Sequence, residues 1–121
     1  MNLKLARIIK NLEKKHPKKK IDLQLGRVFD LLNKLGNPQD KLKCVVSIVG
    51  TNSKYSICQS LKAILNQSGY KCNLYLSPHL QSYTERFVYN DNEINEDVLA
   101  DLLEDIQIFR FLPPWTRHYD R

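Results

Sequence analysis

The sequence predicts an α/β fold, a βαβ unit with a parallel sheet entered through two N-terminal helices. Three observations predict it. A nearly continuous apolar, β-branched run at 42–49 has the composition of a strand covered on both faces. A glycine-led polar turn and a helical apolar stripe follow directly, and a second strand-like run at 71–76 comes after Gly69. Upstream of the first strand, apolar residues recur at helical spacing in two stretches.

Taken in order, Leu5, Ile8, Ile9 and Leu12 place an amphipathic helix over 3–15, ending before His16-Pro17. The lysines at 18–20 read as a connector. Asp22 stands where it can cap a second helix whose stripe is Leu25, Val28, Phe29, Leu32 and Leu35, closed by Gly36 and Pro38. After the strand at 42–49, Ile57, Leu61, Ile64 and Leu65 supply the buried face of a third helix that stops at Gly69. Ser77-Pro-His-Leu80 opens a polar loop, and 86–94 reads as a hairpin turning at Asn90-Asp91-Asn92. Asn95 caps a last helix with Val98, Leu99, Leu102, Leu103 and Ile106 inward. Residues 108–121, with paired prolines and scattered aromatics, read as an irregular tail in which Trp115 is an exposed terminal aromatic or a partner anchor.

A chain of 121 residues is one small domain or part of a larger one. No apolar run approaches the roughly 20 residues of a membrane span, and no signal-like stretch opens the chain, so a cytoplasmic location with no membrane association is expected. Cys44, Cys58 and Cys72 form no C-x-x-C pair and read as reduced, buried small hydrophobes. Eight of the nineteen Lys/Arg lie in the first twenty residues, where Glu13 is the only acid. Because no aromatics interleave these lysines as a stacking surface requires, they read as a solvated face, and no nucleic acid is expected as a partner.

The local signal with most chemistry is Gly50-Thr-Asn-Ser-Lys-Tyr-Ser56, lodged between strand and helix. Such a turn offers backbone N–H groups and a helix N-terminus to an anion, a lysine for terminal phosphates and a hydroxyl for Mg²⁺. Spacing alone leaves phosphate binding and an ordinary βα turn open.

The turn resembles the nucleotide loop of the Mur-ligase superfamily, and of its branch folylpolyglutamate synthase/dihydrofolate synthase, whose loop usually reads G-T-N-G-K-G-S/T. Six further strings agree in order and distance: His16-Pro-Lys, Ile21-Asp-Leu-Gln-Leu-Gly-Arg27, Leu35-Gly-Asn-Pro-Gln39, Ala63-Ile-Leu with Gly69-Tyr-Lys71, Ser77-Pro-His-Leu80 and Thr84-Glu-Arg86. The resemblance runs from about residue 10 to residue 107. It implies a P-loop (Rossmann-like), three-layer α/β domain of the Mur-ligase type, incomplete here. The chain then divides into an N-terminal helical segment at 1–40, a partial ATP-binding domain at 41–107 and the tail at 108–121.

By the same resemblance, Thr51, Asn52, Ser53, Lys54, Tyr55 and Ser56 hold ATP, Lys54 is the catalytic cation, and Ser56 and Ser77 face Mg²⁺. Asp22, Leu23, Gln24, Pro78, His79 and Arg86 meet the dihydropteroate or folate, and L-glutamate is the third substrate. Asp22 as a mere cap, Ser77 as a strand end and His79 as turn packing stay open beside these roles. The family's further metal ligands, a modified lysine and a C-terminal glutamate-binding domain have no counterpart here, so an N-terminal segment inactive by itself is expected.

Ser53 and Tyr55 stand where the family pattern has glycine. A Cβ at positive φ costs on the order of 1 kcal/mol and the tyrosine adds bulk, which predicts weakened nucleotide affinity. A small P-loop kinase is a rival, disfavoured because no acceptor site or second metal-holding acid is recognisable. A non-catalytic nucleotide- or folate-binding remnant is another. The oligomeric state is not readable.

Overall fold

Helix signals that act over a few residues dominate the computed structural model, which describes residues 2–15 and 24–111. The helix end at His16-Pro17, the 18–20 connector, the Asp22 cap, Leu23 and the tail beyond 111 with Trp115 lie outside the described residues. None of the described helices is long and apolar enough to cross a membrane. The chain divides into two units, Val45–Leu99 and Asn2–Cys44 with the residues from Ala100 onward.

In the second of these, α1 (Leu3–Lys15) buries Leu5 and Ile8, the predicted stripe, with Ile9 and Leu12 half-buried. Lys4 donates to Asp101 at 2.6 Å and meets Glu104 at 2.9 Å, and these two carboxylates hold its ammonium above the ordinary lysine range. α2 (Gly26–Lys34) ends as predicted: Gly36 (φ 80) and Asn37 (φ 53) turn the chain, and Asn37 N–H returns to Leu32 O at 2.8 Å. A 3-10 turn follows at Pro38–Lys41. The inward stripe of α2 is corrected, because Leu25, Val28 and Phe29 are all more than half exposed. Leu32 and Leu35 alone of that stripe are half-buried.

α4 (Glu96–Phe111) begins on the predicted cap, the Asn95 side chain accepting from Asp97 N–H at 2.8 Å. Leu99 and Ala100 are its buried residues, whereas Val98 and Leu102 are exposed. The helix runs through 108–111, which were expected to be irregular. No glycine or proline stands within Glu96–Phe111, and the first proline of the pair lies at 113, where it disfavours the helical conformation for the residue directly ahead of it. Lys34 Nζ donates to Arg110 O at 3.0 Å on this last turn, a cation at the negative end of a helix.

The Val45–Leu99 unit holds α3 (Lys54–Gln67), which stops at Gly69 (φ 84), with Gly69 N–H on Asn66 O and Tyr70 N–H on Leu65 O. Its covered face is rotated from the predicted one. Cys58, Leu61, Lys62 and Leu65 are half-buried, and Ile57 and Ile64 are exposed. Lys62 covers its stem and reaches Asp91 with its ammonium at 3.0 Å.

The sheet is antiparallel, in the order β1 (Leu74–Tyr75), β2 (Phe87–Tyr89), β3 (Asn92–Glu93). β1 is shorter than the predicted 71–76. The hairpin is where the sequence put it: Tyr89 faces Asn92, and Asn90 (φ 48) and Asp91 (φ 67) take the two positive torsions of a type I′ turn. The parallel strand at 42–49 is corrected. Residues 44–49 make no backbone hydrogen bond within the described chain, and Val45, Val46 and Val49 are exposed. β1 pairs instead with β2, which returns after a short loop, a connection that suits antiparallel pairing, whereas a parallel partner requires a crossover. The predicted burial of all three cysteines is corrected too: Cys44 is exposed, Cys58 and Cys72 are half-buried, and all are free thiols.

Candidate functional site

A cleft of about 760 Å³ opens where the chain enters α3. Its walls are Ile48, Val49, Gly50, Ser53, Lys54, Tyr55 and Cys58 on one side of the sequence and Tyr75, Leu76, Ser77 and Pro78 on the other. Thus two stretches picked out separately in the sequence, the Gly50–Ser56 turn and Ser77-Pro78, share one cavity. Thr51, Asn52 and Ser56 are exposed beside it and are not part of its wall.

The turn geometry follows from its residues. Ser53 occupies the cap position at φ 61, ψ 8 and makes no side-chain cap, and no acid stands in the first helical turn. The leading N–H groups of α3 therefore lack the carboxylate or hydroxyl acceptor that most helix starts carry. Lys54 is half-buried and its Nζ donates to Gly50 O at 2.5 Å, so the ammonium rests on the turn itself. Tyr55, the second departure from the glycine pattern, is a helical residue with no positive φ and is 63% exposed.

The loop after Ser77 is built around Glu85. Its carboxylate accepts from Leu80, Gln81 and Ser82 N–H, each at 2.8 Å, and these three amides lower its pKa below the ordinary glutamate value. With Ser82 accepting from Thr84 N–H, this is a capping box on the 3-10 turn Tyr83–Arg86. Buried Thr84 hydrogen-bonds Glu93 of β3 and Ser82 Oγ. Arg86 Nε donates to His79 Nδ1 at 2.8 Å, its guanidinium lies 4.8 Å over the Tyr83 ring, and His79 stacks on Tyr83 at 4.4 Å. His79 and Arg86 thus stand together, both half-buried, and neither is part of the cleft wall. Gln24 is exposed in the other unit, and Asp22 and Leu23 lie outside the described residues.

For Mg²⁺, the candidate ligands Ser56 and Ser77 are exposed hydroxyls. Among the described residues no cluster of His, Cys, Asp or Glu could hold a metal. Hydroxyl oxygens are hard donors, so the set fits a Mg²⁺ that arrives with phosphate oxygens and water, and does not fit one caged by protein alone.

Two features of this site escaped the sequence reading. Ser82-Tyr-Thr-Glu85 is a legible capping-box string before β2. Tyr75 had no signal beyond strand alternation; its placement on the cleft depends on pairing with Phe87, whose ring lies 5.4 Å away.

The sequence is 43% identical over 91 residues to a dihydrofolate synthase/folylpolyglutamate synthase of Buchnera aphidicola subsp. Baizongia pistaciae, 74% of this chain and 21% of that protein. It is 37% identical over 106 residues to the Escherichia coli protein of the same description, 88% of this chain and 25% of that one. With a dihydrofolate synthetase of Saccharomyces cerevisiae it shares 40% identity over 74 residues, 61% of this chain and 17% of that one. The chain spans about a fifth of the length of these relatives. No family model and no solved structure matches it.

Proposed function

Because the chain is homologous over most of its length to the dihydrofolate synthase/folylpolyglutamate synthases, we propose that it is the ATP-holding segment of a ligase joining L-glutamate to dihydropteroate or a folate. The observation that supports this reading is the turn at Gly50–Ser56, where uncapped amides and an ammonium converge on one cleft with Ser77.

In that reading the triphosphate replaces Gly50 O as the acceptor for Lys54, a charge-assisted bond in place of a neutral one. The amides opening α3 meet the β- and γ-phosphates, and Ser56 and Ser77 turn their hydroxyls toward the metal that accompanies them. Bound Mg²⁺ supplies neutralisation of phosphate charge. The γ-phosphoryl passes to a substrate carboxylate as ADP leaves; the glutamate amine then attacks the acyl phosphate and expels inorganic phosphate. Two anions must be brought together for the first step, so charge neutralisation by Lys54 acts on the barrier itself. His79 and Arg86, the imidazole accepting from the guanidinium, stand in the loop that shapes the acceptor pocket, where Tyr83 packs on both and Glu85 ties down the loop backbone. By the family resemblance, the glutamate site and the remaining metal ligands come from parts of the relatives that this chain does not match.

Calorimetric titration with Mg-ATP tests the reading. Lys54→Met should weaken binding about tenfold or more, the scale of one lost charge-assisted hydrogen bond. No measurable heat at millimolar Mg-ATP from the wild type or from Ser53→Gly would reject it.

A further inference from the structure

We propose that the outward face of α1, carried by Arg7, Lys10 and Lys14, is a docking surface for the oligoglutamyl tail of a folate that already bears several glutamates. The inference rests on the ligase reading above and names the form of the acceptor. Each glutamate in such a chain, whichever of its carboxyls forms the amide, leaves one carboxylate free. A tail grown by repeated addition therefore carries one negative charge per residue.

The face is set by the burial of its opposite. Leu5 and Ile8 are buried and Ile9 and Leu12 half-buried, whereas Arg7, Lys10 and Lys14, at i, i+3 and i+7, stand on the other side of the helix and are all exposed. At the ordinary helical rise they are spaced by about 4.5 and 6 Å along the axis, which a flexible polycarboxylate can follow. Lys4, on the flank of this stripe, is matched by Asp101 and Glu104. Among the described residues no carboxylate pairs with Arg7, Lys10 or Lys14, not even Glu13, the one acid of α1. Lys10 and Lys14 are moreover like charges at i, i+4, where a pair of opposite sign would support the helix and this one opposes it. The negative end of the helix dipole accounts for Lys14 in the last turn and leaves Arg7 and Lys10 unexplained. A polyanion laid along the stripe relieves that repulsion.

Other polyanions fit the helix less well. α1 contains no aromatic residue on which a base could stack. Leu5 and Ile8, which a helix lying on a bilayer would turn to lipid, are covered by protein. The tail needs only contacts between carboxylate and cation, and those are what the face offers.

Calorimetric titration with pteroylpentaglutamate and pteroylmonoglutamate compares the wild type with the triple variant Arg7→Gln, Lys10→Gln, Lys14→Gln. A second triple variant of the same net charge, Lys41→Gln, Lys43→Gln, Lys71→Gln, alters exposed lysines elsewhere in the chain. Glutamine forms helix about as well as lysine, so the far-ultraviolet dichroism should be retained. The wild type should bind the pentaglutamate about tenfold tighter than the monoglutamate, the scale of three exposed ion pairs, and the preference should shrink as salt is raised. The α1 variant should lose that preference, and the second variant should change it less than about twofold.

The inference is overturned if the wild type binds both folates equally, if the two variants lose the same amount as bulk charge would give, or if a thymidine oligonucleotide of matching charge binds as tightly as the pentaglutamate. Mg-ATP heat measured on the same samples keeps the two readings apart. ATP binding without a tail preference sinks this inference alone, and a tail preference without ATP heat sinks the nucleotide reading alone.

Discussion

Ser53 carries a Cβ at φ 61, the left-handed region, one residue before α3. That conformation costs a non-glycine residue about 1–2 kcal/mol, while glycine's greater freedom in the unfolded chain offsets about 0.4–1 kcal/mol of any gain from substitution. The first effect is larger, so Ser53→Gly should stabilise the chain by about 0.5–1 kcal/mol, read as a raised urea midpoint at constant slope; an unmoved or lowered midpoint contradicts the torsional account. Tyr55 differs although it also stands where the related loops have glycine. It is already helical, so its substitution changes bulk and contact without relieving strain. The turn proposed to hold phosphate stands out by residue types alone, because its glycine, lysine and hydroxyls lie within seven positions. Tyr75 does not, because its place on the cleft is set by a partner twelve residues away.

At the scale of elements, the loop between β1 and β2 depends on one carboxylate serving three amides. Glu85→Gln keeps the size and removes the charge, so the amides of Leu80, Gln81 and Ser82 should exchange with solvent markedly faster, with little change along α1. The pH dependence has a definite sign. The folded state lowers the Glu85 pKa, so its contribution is complete above the ordinary glutamate value and is lost as pH falls through the lower, folded value. Protection of those three amides should therefore decline at acid pH in the wild type and stay flat in Glu85→Gln; parallel behaviour of the two proteins would sink the assignment. A similar anchor holds the hairpin turn, where Asp91 accepts from Lys62 at 3.0 Å and from Asn66 at 2.8 Å, and these partners lower its pKa.

Elements with local causes were the readable ones. α1 followed its apolar spacing, α3 its terminal glycine, α4 its Asn95 cap and the hairpin its Asn-Asp turn. Which face each helix covers was less readable. Ile57, Ile64, Val28 and Phe29 satisfy helical periodicity yet stand exposed, because a stripe states only what could be buried and a neighbour must exist to bury it.

For the whole molecule, the α/β class was legible and the parallel sheet was not. The run at 42–49 has the composition of a covered central strand, but strand formation is a relation between two segments, and no described segment pairs with it. Val45, Val46 and Val49, exposed at 67%, 62% and 89%, are β-branched side chains beside amides and carbonyls that no described residue bonds. In water such a stretch is a ready template for a like stretch on another molecule. Turbidity and light scattering should accordingly rise with protein concentration well before the helices melt, and Val46→Lys, a charge set into the middle of the run, should raise the solubility ceiling while leaving the far-ultraviolet dichroism unaltered.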